Sequence, residues 1–172
     1  MKMIMGSVLM LAAVGTLAAC GNDDDEKLTP GDPNIVAYEV EYEVEMSSAV
    51  YNYFDVTMTY TDENGEEKSR VITGDQDMKL RVPVDKLKDS YTMKVTGVAK
   101  QPYPAIDPAG KYRIEYDVEA SIEALDKRGE SYSIGSKDVS KSAMTIGGDK
   151  MEAYLSSTLT TPKSFGTVTA RK

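Results

Sequence analysis

One residue in the chain carries a thiol, Cys20, and its neighbours define what that thiol is for. It follows Leu17-Ala18-Ala19 and closes an apolar stretch from Met3 to Val14, with Lys2 as the positive start and Gly15 to Ala19 as a small-residue approach to a cut. That order reads as a secretory signal cleaved just before the cysteine. The expected chemistry is acylation: residues 1–19 leave as a lipoprotein signal peptide, and Cys20 becomes a lipid-bearing N-terminus. Each buried acyl methylene contributes about 0.8 kcal/mol, so two or more chains hold a protein on a bilayer that it does not cross. An uncleaved membrane helix fits less well, because the charges that follow are Asp23, Asp24, Asp25 and Glu26 rather than a basic stop-transfer cluster.

Catalytic chemistry is restricted by what is missing. The chain has no histidine, which removes the commonest general base and a frequent metal ligand. It also lacks a Gly-x-Ser-x-Gly elbow, a Ser-x-x-Lys pair and a glycine-rich phosphate loop. A non-catalytic binding or structural role is expected, with a hydrolase built on paired carboxylates as the one exception. Two ligand chemistries remain. Calcium takes oxygen donors and needs neither His nor Cys. Its candidate ligands are Asp62, Glu63 and Asn64 in one turn, Asp75 and Asp77 in the next, and Asp107 in the Tyr103–Pro108 loop, if these loops share one end of the fold. The second chemistry is a glycan or peptide stacked on exposed tyrosine rings. Of the 11 tyrosines, Tyr51 and Tyr53 fall out of phase with the buried set, and Tyr103 sits in the stiff sequence Gln101-Pro102-Tyr103-Pro104.

The run Gly21-Asn22-Asp23-Asp24-Asp25-Glu26-Lys27 after Cys20 resembles the start of surface lipoproteins of the Bacteroidetes phylum. In those proteins an acidic cluster behind the lipidated cysteine marks export to the outer face of the outer membrane. The resemblance implies an export signal at Asp23, Asp24, Asp25 and Glu26 and a cell-surface location. A periplasm-facing anchor with a plain acidic spacer is the alternative. The calcium reading has a resemblance of its own, since the acidic loops are similar in composition to those with which C2-like and PLAT-like sandwiches hold the ion.

The elements that must position these residues follow from periodicity. Residues 20–33 hold two prolines, several acids and one sizeable apolar residue, Leu28, which predicts a disordered tether of about 20 Å. Residues 34–172 are read as one domain. Val36, Tyr38, Val40, Tyr42, Val44 and Met46 alternate with Glu39, Glu41, Glu43 and Glu45, the period of a half-buried strand. Further strands are expected over Tyr53–Tyr60, Lys68–Thr73, Met78–Val84, Tyr91–Lys100, Lys111–Leu125, Ser131–Lys137, Ala143–Ile146 and Phe165–Ala170. Asn64-Gly65 marks a hairpin. Pro83 on the outward set of its strand predicts a sheet edge. The Lys111–Leu125 alternation is so long that a bend, a bulge or a change of sheet is expected. Asp149 to Leu159 changes to helical spacing behind Asp149 as N-cap. Many strands and one short helix predict an all-β, antiparallel β-sandwich, Ig-like or C2/PLAT-like, with an up-and-down β-barrel as the alternative.

Charge narrows the partners. The net charge is −8 and becomes one unit more negative once Lys2 is removed. Such a surface repels phosphate backbones, so nucleic acid is not an expected partner. With its cysteine acylated the chain forms no internal disulfide, and packing alone must hold the domain. The glutamate row is expected to be a solvent face partnered by Lys79 and Arg81 or by Lys68 and Arg70.

Overall fold

A computed structural model describes residues 31–172, so the signal peptide, Cys20 and the acidic cluster at residues 23–26 lie outside the described residues. Among the described residues nine strands form two antiparallel sheets. The first holds β1 (Ile35–Met46), β4 (Gln76–Pro83), β6 (Lys111–Asp126), β7 (Ser131–Ser133) and β8 (Asp138–Gly147). Its order is β4-β1-β6, with β8 and β7 sharing the far side of β6. The second sheet runs β3 (Glu67–Ile72), β2 (Phe54–Thr61), β5 (Ser90–Ala99) and β9 (Lys163–Arg171). The architecture is a sandwich, and the barrel alternative fails because the strands divide into two sheets with free edges. Among the described residues no helix is long and apolar enough to cross a membrane.

Alternation in the sequence becomes two faces. Tyr38, Val40, Tyr42 and Val44 are buried against Val56, Met58, Tyr91, Met93 and Val95 of the opposite sheet, while the glutamates between them stay on the outer face. Val36 departs from this and is 39% exposed. The β1–β6 register slips between Ile35 and Ala37, so Val36 is the extra residue of a bulge and the phase restarts behind it. Pro83 does lie on an edge strand, β4, which among the described residues pairs only with β1. The long strand β6 stays in one sheet. Its length is used by three partners, with β1 along one side and β8 and then β7 along the other.

Two α-helices lie at one end of the sandwich among the described residues, where β1 and β8 finish and β2 and β9 begin. One over Gly148–Ser156, here α2, matches the helical spacing, with Met151 and Leu155 buried. Its N-cap is Gly147 rather than Asp149, which falls in the first turn, and because the helix stops at Ser156 it leaves Leu159 exposed. The other helix, α1 over Ser48–Tyr53, fills the span between the first two expected strands and takes Tyr53 out of the second. Its short span buries Val50 and Tyr53, one turn apart. Ser47 ahead of it does not cap the helix; its hydroxyl donates to the Arg113 carbonyl at 2.6 Å and accepts the Glu115 amide at 3.1 Å, fastening the end of β1 to β6.

The deepest packing gathers around Phe165. Register between β5 and β9 slips so that Phe165 is the extra residue, and both it and Gly166 turn inward. Gly166 has φ +145°, a conformation that side chains disfavour. The Phe165 ring lies edge-on to Phe54 at 5.3 Å between centroids and to Tyr116 at 5.9 Å. A Cβ on Gly97 of the neighbouring strand would come within 2.5 Å of that ring.

Candidate functional site

The outer face of the first sheet concentrates carboxylates. Cross-strand register sets Glu43 directly opposite both Asp77 and Glu119, Glu45 opposite Asp117, and Glu39 opposite Glu123. Like charges in such positions repel. Part of the row is neutralised: Lys79 reaches Glu41 at 3.1 Å and Glu39 at 3.4 Å, and Lys137 pairs with Glu119. Of the expected partners Lys79 of β4 reaches the row, Arg81 forms no ion pair among the described residues, and Lys68 and Arg70 belong to the other sheet. Among the described residues neither Glu43 nor Glu45 has an ion-pair partner. Burial, and then repulsion from Glu119, Glu45, Glu41 and Asp77, raises the Glu43 carboxyl above its ordinary range.

Where this face meets α1 it opens into a cleft of about 400 Å³. Glu45, Glu115 and Asp117 line it together with Lys141, Ser142 and Ala143 of β8, and Asp75 and Ser47 form its wall. Asp75 is held in place: its Oδ1 accepts the Met46 amide and the Tyr51 hydroxyl, each at 3.0 Å. That contact, after burial, contributes to raising the Tyr51 phenol well above its ordinary value. Asp117 Oδ1 is enclosed with no hydrogen-bond partner among the described residues. The cleft offers carboxylates of two strands and of the β3–β4 turn, with one ammonium, a surface for polar or cationic groups of a ligand.

The residues singled out in the sequence do not converge. Asp62 and Asp75 sit at opposite ends of β3, so the two turns cannot hold one ion between them. Asp62 is also consumed by its own turn: its Oδ1 accepts the amides of Asn64 at 2.9 Å and Glu66 at 2.8 Å. The same device recurs in the β6–β7 hairpin, where Asp126 Oδ1 accepts the amides of Arg128 at 2.7 Å and Glu130 at 2.9 Å. In both turns the fourth residue is a glycine with positive φ, Gly65 at 77° and Gly129 at 82°. The recurring pattern Asp-x-x-Gly-Glu is therefore a hairpin lock. Hydrogen bonding from Glu66, against the opposing effect of burial, holds the Asp62 carboxyl below its ordinary range. For Asp126 burial acts upward most strongly, and the amides of Glu130 and Arg128 with the Arg128 guanidinium outweigh it.

The other candidates are dispersed. Glu63 and Asn64 are exposed at the tip of their hairpin, and Asp77 is exposed on β4 opposite Glu43. Asp107 is exposed and accepts the Ala109 amide at 2.9 Å, closing its own turn. Among the described residues no group of three or more acidic side chains is arranged around a common ion position. Tyr53 corrects the expectation of an exposed ring. It is 6% exposed and donates to the Ala105 carbonyl at 2.8 Å, because α1 rotates it into the core. Burial and then Tyr112 push its phenol up to about 12. Tyr103 is half-buried against the core, its hydroxyl 2.9 Å from Ser156 Oγ, and ties its loop to α2. Only Asp75 and, through it, Tyr51 belong to the cleft. Glu45, Glu115 and Asp117 were legible merely as outward members of alternating strands, and Lys141 fell between two expected strands because β8 starts at Asp138.

No protein-family model matches the chain, and neither a curated protein nor a solved structure does.

Proposed function

We propose that the chain is a lipid-anchored cell-envelope lipoprotein whose sandwich is a non-catalytic binding module, presented at the cell surface. The observation that carries this reading is the polarity of β1. Its first residue, Ile35, follows the tether directly, and its last, Met46, lines the cleft. Eleven steps at roughly 3.3 Å each separate the two ends by about 36 Å. A domain anchored through Cys20 then holds its cleft at the pole away from the lipid, where a ligand from outside the cell can reach it. The signal-like segment ahead of Cys20 and the acidic run behind it supply the anchor and the address.

Mass spectrometry of the protein purified from its native membrane tests the anchor. Diacylglyceryl or further acyl mass on a chain starting at Cys20 is expected, and an unmodified sulfur with residues 1–19 attached would overturn it. A thermal-shift panel of calcium, amines and oligosaccharides on wild type and Asp117→Asn tests the cleft. A ligand whose stabilisation disappears in the variant is expected; stabilisation of both proteins alike by every ligand that acts would remove the cleft from the proposal.

A further inference from the structure

The cleft beside α1 is lined by more polar groups than it leaves free. The Ser47 hydroxyl is used twice, donating to the Arg113 carbonyl and accepting the Glu115 amide. Asp75 Oδ1 accepts the Met46 amide and the Tyr51 hydroxyl. The Glu115 carboxylate accepts a forked pair from the Arg113 guanidinium, at 2.7 Å from Nε and 2.5 Å from a terminal nitrogen. Three charges are left over. Among the described residues Glu45, Asp117 and Lys141 line the cleft without an ion-pair partner, and Asp117 Oδ1 accepts no hydrogen bond. Enclosed carboxylate oxygens in native structures are met by a donor, from the protein, from ordered water or from a ligand.

Register sets these three on one line across the sheet. Glu45 of β1 is directly opposite Asp117 of β6, and Asp117 is directly opposite Lys141 of β8. Neighbouring strands lie about 4.8 Å apart, so the line reads negative, negative, positive over about 10 Å. That order discriminates between ligands. A group carrying only positive charge, a metal ion included, leaves Lys141 beside a like charge, and an anion on Lys141 meets the repulsion of two carboxylates. A molecule with a cation at one end and an anion at the other satisfies all three.

We propose that the cleft binds the C-terminal basic residue of a peptide, its side-chain cation between Glu45 and Asp117 and its terminal carboxylate on Lys141. This rests on the reading of the cleft as the binding site and adds the class of ligand. From the midpoint of the two acids to Lys141 is one and a half strand spacings, about 7 Å. The methylene stem of arginine or lysine separates side-chain charge from terminal carboxylate by about that length, whereas a short side chain holds its two charges too close together. Arginine suits the acidic end best, because its planar guanidinium presents N–H donors to two carboxylates at once. Met46, Tyr116 and Ala143 also line the cleft and offer apolar surface to the stem. A peptide end is preferred to the free amino acid, since a free α-ammonium sits beside Lys141, while a peptide nitrogen is neutral. The volume of about 400 Å³ lies within the range of small-ligand sites, roughly 300–1,000 Å³.

The test is isothermal titration calorimetry on the full-length acylated protein in non-ionic detergent micelles. The probes are Nα-acetylarginine, its carboxamide, which lacks the anion, and Nα-acetylcitrulline, which lacks the cation. Acetylarginine is expected to bind about tenfold more tightly than either control. Lys141→Met is expected to reduce the preference for the acid over the carboxamide to less than about twofold. Asp117→Asn and Glu45→Gln, which relieve repulsion and leave the circular dichroism spectrum unchanged, are expected to weaken acetylarginine by about tenfold each. Equal binding of acetylarginine and acetylcitrulline, or a preference for the acid that survives Lys141→Met, overturns the proposal. No heat with acetylarginine, while another ligand stabilises wild type and not Asp117→Asn, overturns it and leaves the cleft as the binding site. Acetylarginine bound equally by wild type, Glu45→Gln and Asp117→Asn overturns both readings.

Discussion

Replacing Glu43 by glutamine removes one negative charge from the centre of the acidic face, and the register gives the size of the effect. Glu43 has Asp77 and Glu119 directly opposite and Glu41 and Glu45 two residues away on its own strand. Cross-strand charge pairs are worth about 0.2–1 kcal/mol each. Neighbouring Lys79 and Lys137 offset part of this repulsion, which leaves a gain of roughly 0.5–1 kcal/mol for Glu43→Gln at neutral pH and low salt. The sign follows from the raised carboxyl. A group that holds its proton more tightly in the folded state favours folding while protonated, and that advantage is lost as pH rises through its folded pKa. Wild type and variant should therefore have equal stability near pH 4 and diverge above it, with the variant the more stable. Urea unfolding followed by far-ultraviolet circular dichroism at both pH values measures the difference, and added salt should shrink it. A variant that is less stable than wild type at pH 7 would refute the reasoning and would mean that a cation or an ammonium uses the Glu43 charge.

Further outcomes follow from the packing and the turns. The double change Glu41→Gln and Glu43→Gln should stay within about 1 kcal/mol of wild type by chemical denaturation, since the lost Lys79–Glu41 contact offsets the relieved repulsion. Phe165→Ala should cost about 3–5 kcal/mol, because the ring is fully buried between Phe54 and Tyr116; a midpoint close to wild type would show that the bulge does not hold the core. Gly97→Ala should destabilise by about 1–3 kcal/mol through its contact with the same ring, and the loss should diminish in a Phe165→Leu background. Asp62 and Asp126, both held low by their turns, contribute stability that is present above the ordinary aspartate range and lost as pH falls through their lowered values. Melting temperatures of Asp62→Ala and Asp126→Ala should accordingly fall less than that of wild type between pH 5 and pH 2, and parallel curves would reject the lock.

Much of the sandwich was legible because a half-buried strand writes its two faces into alternate residues. Tyr38 to Met46 and Phe54 to Met58 could be assigned inward from spacing alone, and Pro83 marked an edge because it has no amide to donate. Spacing failed where the chain changes phase. Val36 is displaced by a bulge that exists only in pairing with β6, and Tyr53 is buried because six residues coil into a helix too short to show a period. The role of Asp62 was hidden for a different reason, since an acidic turn that binds its own amides has the same composition as one that binds a metal.

The chemical inventory, the two-residue period and the turn residues are local properties, so the order of amino acids alone determined the all-β class, the acidic outer face of β1 and the expectation of an anchor at Cys20, while the division into two sheets came from the tertiary structure. The cleft was decided by tertiary structure. It brings Glu45, Asp75, Glu115, Asp117 and Lys141 together from four segments far apart in the chain, and each of them in sequence is an ordinary solvent-facing charge. Which strands become neighbours, and in what register, is set by the burial of aromatic and aliphatic side chains on the opposite face. The charges on the outer side meet as a consequence of that packing.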